Sequence, residues 1–177
     1  MRERRMARIR RTSQIMKYVT FVAVMTLASC YVAAFLWPGA ADVVTKALTN
    51  MDEVPALTAG QLLLIFTLGS VPFGLYLAAI ATAGQLFGAF HQGDVLTSQT
   101  GSLLAQIGLC ILAAQLATVF ATAAASGYVS HLIGEPEIII AITSNDIANT
   151  LFGALLLVVG WVIAEAAEVA AENRQFV

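Results

Sequence analysis

Four long apolar stretches dominate this chain, and the only charge within them is Glu165, near the end of the last. They cover about residues 18–37, 61–90, 102–126 and 147–166. A hydrocarbon layer of ~30 Å requires about 18–20 residues of α-helix, so each stretch is long enough to cross it. Because lipid offers no hydrogen-bond partners to the backbone, a helix is the economical structure for each stretch. The sequence therefore predicts an all-α integral membrane protein, a bundle of four transmembrane helices.

Composition argues against the soluble alternative of four buried helices. The chain is 59% hydrophobic and only 11% charged, whereas soluble domains carry roughly a quarter charged residues. A surface helix of a soluble protein also needs a polar face, which these stretches lack. We therefore expect a basic cytoplasmic segment over residues 1–17 and one membrane domain over residues 18–177, ending in a cytoplasmic helical tail.

The distribution of basic residues predicts the orientation. Apart from Lys46 and Arg174, every Lys and Arg precedes the first span: Arg2, Arg4, Arg5, Arg8, Arg10, Arg11 and Lys17. Because basic flanks stay in the cytoplasm, both termini are expected there. Residues 38–60 and 127–146 then lie outside, and residues 91–101 form a short inner loop. Of the basic segment, Arg8, Arg10, Arg11 and Lys17 are candidates for contact with lipid headgroups.

The first span has a rival interpretation. Residues 27–30, Leu-Ala-Ser-Cys, resemble the lipobox of bacterial lipoproteins, in which the cysteine is acylated after cleavage. Signal peptides have apolar regions shorter than a full span, but here the apolar run continues to Trp37. The sequence favours an ordinary helix, and lipidation of Cys30 stays the alternative.

Four residues inside the spans are candidates for special packing. Pro72, flanked by glycines, lacks a backbone N–H and predicts a kink in the second span. Gly84 and Gly88 lie one turn apart and predict close approach of another helix. Gln115 lies near the middle of the third span and is the best candidate for a buried polar contact. Residues 137–143 are rich in β-branched side chains and predict a short strand or extended segment before the fourth helix.

The remaining candidate site residues are expected on the cytoplasmic side of the membrane. Glu165, Glu168 and Glu172 form an acidic stripe on one face of the fourth helix. Because we expect the first and last helices of a compact bundle to be neighbours, the stripe is a candidate contact for the basic segment, and contact with a partner is the alternative. His91 and Asp94 lie in the inner loop and could pair as a base and its orienting group, but no nucleophile motif accompanies them. We expect no catalytic site, no metal site and no cofactor, and no direct binding of nucleic acid.

Two segments carry recognisable motifs: residues 91–97, His-Gln-Gly-Asp-Val-Leu-Thr, and the acidic C-terminal helix ending in Glu-Asn-Arg-Gln-Phe-Val. Both resemble one family of bacterial inner-membrane proteins, the domain-of-unknown-function family 2975. The resemblance covers roughly residues 57–177. This chain departs from the family pattern at Leu96, where members prefer Phe, and over residues 101–106, where members place Arg. The resemblance implies four spans and the inner membrane, with no established activity or cofactor.

Three functions remain open from the sequence. The first is a non-enzymatic accessory or regulatory subunit, which packs against another membrane protein or a second copy and uses its cytoplasmic ends. The second is a small transporter or channel subunit built around the kinked second span. The third, and least favoured, is a membrane-embedded enzyme using His91 and Asp94.

Overall fold

The computed structural model describes residues 2–51, 54–134 and 137–173, with the backbone alone for residues 2–10 and 38. These ranges form five α-helices and no β-strand: α1 (Arg2–Leu36), α2 (Pro38–Thr49), α3 (Ala59–Gln92), α4 (Ser98–Ile133) and α5 (Ser144–Asn173). Four of them, α1, α3, α4 and α5, are long and apolar enough to span a membrane. The fold is all-helical, as the sequence predicts.

The long helices lie in a row. Helix α1 packs on α3, α3 on α4, and α4 on α5, while α2 contacts α1, α3 and α4. Within the described part of the chain, α1 and α5 share no contact. The expectation that the first and last helices are neighbours is therefore wrong. The physical reason is that α4 packs against helices on two of its faces, so α5 adds to the edge of the row instead of closing it.

Threonines begin three of the helices. The backbone N–H of Thr58 donates to Gln61 Oε1 at 2.7 Å, and that of Thr97 donates to Thr100 Oγ1 at 3.0 Å. The N–H of Thr143 donates to an oxygen of Asp146 at 2.7 Å. Each pair spans three residues, the spacing of a capping box, and satisfies backbone donors that the first turn leaves free.

Left-handed residues end three helices. They are Asn50 after α2 (φ 55°), Gly93 after α3 (φ 103°) and Gly134 after α4 (φ 88°). Glycine adopts this conformation without a steric penalty, and asparagine tolerates it. These residues let the chain turn away from the helix axis after each of the three helices.

Helix α2 is an element that the hydropathy pattern does not reveal. Pro38 disfavours a helical conformation for the preceding residue, and Trp37 is extended (φ −109°, ψ 112°). Proline then serves as the first residue of a new helix. On one face of α2, Ala41, Thr45 and Thr49 are buried, while Asp42 and Lys46 form an exposed ion pair of 3.1 Å. Twelve residues are too few to span a bilayer. Helix α2 packs beside the longer helices, since Leu48 lies 3.3 Å from the Cβ position of Gly69 on α3 and borders a cavity with Thr118 of α4.

The segment before α5 has no regular secondary structure over residues 137–143. Its backbone pairs with hydroxyl groups on the last turns of α4. The Ser130 hydroxyl donates to the Glu137 carbonyl at 2.7 Å, and the Ile139 N–H donates to Ser126 Oγ at 3.1 Å. Because no second strand lies beside it in the described ranges, the β-branched residues form no sheet.

Positive-inside orientation leads to a topology prediction. A reporter fused after Val177 should be active on the cytoplasmic side, and reporters inserted at Asn50 or Gly134 should be external, because the basic residues retain the start of α1 inside. Paired alkaline phosphatase and green fluorescent protein fusions measure both outcomes. The reverse pattern would contradict the orientation.

Candidate functional site

A glycine seam joins α4 to α5. It consists of Gly101 and Gly108 on α4 and of Gly153 and Gly160 on α5. A Cβ atom added to Gly101 would lie 2.4 Å from the backbone nitrogen of Ala164, and one added to Gly108 would lie 2.4 Å from that of Leu157. At Gly160 the added atom would lie 2.3 Å from the backbone nitrogen of Ala105. The two backbones are therefore in direct contact, as small residues permit between membrane helices.

The sequence contained a signal for this seam. The two glycines of each helix are seven residues apart, close to two turns, so both lie on one face. Matching pairs with the same spacing on two consecutive spans allow an antiparallel match. The structure pairs Gly101 with Gly160 and Gly108 with Gly153.

The predicted packing pair, Gly84 and Gly88, faces α1. A Cβ atom on Gly84 would lie 2.7 Å from Thr20 Oγ1, and one on Gly88 would lie 3.9 Å from Lys17 Cδ. Contacts here are to side chains, not to backbone. The approach of α1 to α3 is therefore looser than that of α4 to α5.

Between α1, α3 and the start of α4 lies a groove of about 410 Å³. Gly84 and Gly88 lie along its α3 side. One end is lined by Phe21, Val24 and Ala81, and the other by polar side chains: Lys17, Gln92 and Gln99. Thr20 and Gln85 lie between the two ends. We call this cavity the α1–α3 groove.

A polar network links three helices through Gln115. This side chain is buried, and its Oε1 accepts a hydrogen bond from the Tyr76 hydroxyl on α3. Its Nε2 donates to Asp146 Oδ1 at the start of α5, at 2.8 Å. The other oxygen of Asp146 accepts from the N–H and hydroxyl of Thr143, both at 2.7 Å. The network therefore ties the first turn of α5 to the middle of α4.

Pro72 is buried within α3, which continues through it to Gln92. Aromatic rings pack beside it, because Tyr31 of α1 stacks on Phe73 with ring centroids 4.4 Å apart. The Tyr31 hydroxyl donates to the carbonyl of Phe66 at 2.6 Å. A cavity of about 290 Å³ adjoins Pro72 and is bordered by Leu48 of α2 and Thr118 of α4, among others.

The acidic stripe lies exposed on the last turns of α5. Glu168 accepts a hydrogen bond from the Ser98 hydroxyl at the start of α4, at 2.8 Å. Neither Arg11 nor Lys17 forms an ion pair with Glu165, Glu168 or Glu172 in the described part of the chain. The predicted pairing with these two basic residues is therefore wrong, because two helices separate α1 from α5. The side chains of Arg8 and Arg10 lie outside the described residues.

His91 and Asp94 lie at opposite sides of the α3 C-cap. His91 is in the last turn of α3, whereas Asp94 follows Gly93 and its backbone N–H donates to the Ala89 carbonyl at 3.1 Å. Among the described residues, no group of three or more His, Cys, Asp or Glu side chains is placed to hold a metal ion.

Comparisons with known proteins were made by sequence and by structure. No protein-family model, curated protein or solved structure matches this chain significantly.

Proposed function

We propose that this chain is a non-enzymatic accessory or regulatory subunit of a bacterial inner-membrane assembly, which docks a partner membrane protein through the free edge of α5. The observation that supports this most directly is the position of α5. It contacts α4 along one face and none of the other helices in the described chain. The edge of the row is therefore available to another protein.

The free edge of α5 has an apolar part and an acidic part. Within the membrane it presents large apolar side chains, among them Phe152, Leu155 and Trp161, which are 53%, 59% and 61% exposed. Toward the C-terminus the same helix carries Glu165 and Glu172, which are exposed and form no ion pair in the described part of the chain. A partner helix followed by a basic segment would complement both parts. Complementary charges favour the correct partner over others and fix its register.

Photocrosslinking in native membranes tests this docking. A photoreactive benzoylphenylalanine at Trp161 should give a defined product with another membrane protein, because that side chain is 61% exposed. The double variant Glu165→Gln with Glu172→Gln should weaken the product several-fold, since charged contacts at the edge of an interface affect association. The matched control is Asp42→Asn, which removes one acid from α2 and should leave the product unchanged.

Two results would oppose the proposal. Crosslinks to lipid alone would show that the edge of α5 is a lipid surface. Crosslinks to a second copy of this chain alone would show self-assembly in place of an accessory role.

A further inference from the structure

We infer that the α1–α3 groove binds one anionic glycerophospholipid, with its phosphate at Lys17 and the upper part of an acyl chain along Phe21 and Val24. This site is independent of the docking edge on α5, because α5 contributes no residue to the groove.

The polarity of the groove changes along its length. In α1, the chain runs from Lys17 into the apolar stretch, so Phe21 and Val24 lie deeper in the membrane than Lys17. Helix α3 runs the opposite way, since Gly84 lies beside Thr20 and Gly88 beside Lys17. Ala81 is therefore at the deep end, and Gln92 is at the surface end. A groove that is apolar at one end and polar at the other matches the shape of a lipid molecule.

Lys17 supplies the charge. Its side chain lies along α3, with Nζ 4.0 Å from the position that a Cβ atom would take on Gly88. The ammonium group forms no ion pair with any described residue. The acidic stripe cannot neutralise it, because α5 contacts neither α1 nor α3. An unneutralised cation at the membrane surface attracts anionic lipid.

Amide groups and free space complete the site. Gln85, Gln92 and Gln99 line the groove and can donate to the oxygens of a phosphate or ester group. Gly88 has no side chain to fill the space beside Lys17. The volume of about 410 Å³ lies within the range of ligand pockets, roughly 300–1,000 Å³, and accommodates the headgroup region with part of one chain.

Native mass spectrometry of the full chain tests the site. The protein is released from nanodiscs of equal parts phosphatidylglycerol and phosphatidylcholine, and the retained lipid is counted. We expect the wild type to retain phosphatidylglycerol preferentially. Lys17→Gln should reduce this retention by about five-fold, as expected for loss of one basic residue near the surface. Arg11→Gln removes the same charge from the same helix outside the groove and should have a clearly smaller effect.

A second pair of variants tests the volume of the α1–α3 groove and keeps the charge of Lys17. Gly88→Leu should exclude the lipid by filling the groove. Gly74→Leu is the matched control on α3, because no atom lies within 4 Å of the added Cβ there, and it should retain the lipid.

Three outcomes would overturn the inference. Equal retention of both lipids would show that the groove does not select an anion. Equal losses in Lys17→Gln and Arg11→Gln would show general attraction by the basic segment. Displacement of phosphatidylglycerol by excess inorganic phosphate would show a phosphate site with no requirement for a lipid.

Discussion

Replacing Gly108 with leucine is expected to separate α5 from α4 and to destabilise the protein by at least about 3 kcal/mol, the upper end of ordinary overpacking costs. The added Cβ alone would lie 2.4 Å from the backbone nitrogen of Leu157 and 2.5 Å from the Gly153 carbonyl oxygen. Side chains can rotate away from such a clash, but backbone atoms move only if the whole helix moves. Since α5 is held by α4 alone in the described chain, its displacement would remove its tertiary packing.

The free energy of unfolding in mixed micelles, measured by titration with sodium dodecyl sulfate, quantifies this effect. Gly74→Leu makes the same substitution on α3, where the structure leaves open space, and should stay within about 0.5 kcal/mol of the wild type. If Gly108→Leu were as stable as Gly74→Leu, the two backbones could not be in contact.

The contrast between the two glycine pairs shows what the sequence could predict about packing. Gly84 of the Gly-xxx-Gly pair lies beside Thr20 of another helix in the structure. The pair does not indicate whether the neighbour offers a flexible side chain or a rigid backbone. That difference depends on whether the partner helix carries glycines at matching positions. Gly101 and Gly108 of α4 have such partners in Gly160 and Gly153 of α5.

Hydropathy predicts the four long helices because insertion in lipid is a property of each segment. Hydropathy does not predict which helices are neighbours, since lipid-facing and helix-facing surfaces are both apolar. The order of the row therefore could not be obtained from hydropathy. For the same reason, the expected contact between the basic segment and the acidic stripe relied on a closed bundle, whereas α1 and α5 share no contact among the described residues.

Helix α2 and the start of α5 illustrate a second limit on what the sequence can predict. Pro38 signals a helix start, but twelve residues of mixed polarity give no membrane signal. At α5, Ser144, Asn145 and Asp146 are residue types that favour helix N-caps. In the structure the cap is Thr143, and Asp146 reaches back to it. Residue types therefore indicate a cap in this region, but the local sequence does not reveal that Gln115 of another helix also holds Asp146.

Gln115→Leu is expected to have the second-largest effect on stability, a loss of about 1–3 kcal/mol. Leucine preserves much of the volume but removes the acceptor for the Tyr76 hydroxyl and the donor to Asp146. Both partners would then lack a protein partner for that hydrogen bond. Hydrogen bonds between membrane helices average only ~0.6 kcal/mol, so the larger expected loss reflects two bonds and the partial burial of the groups left behind.

A double-mutant cycle identifies the Tyr76 part of this loss. Tyr76→Phe removes the hydroxyl alone, and the variant carrying both substitutions should lose less than the sum of the single losses, by about 0.5–1.5 kcal/mol. Unfolding in mixed micelles measures each variant. The matched control is Gln106→Leu, on the same helix, because Gln106 is exposed and should tolerate the change. Additive losses for Gln115→Leu and Tyr76→Phe would mean that the two side chains do not interact, and the link from α3 to α4 would then rest on apolar packing.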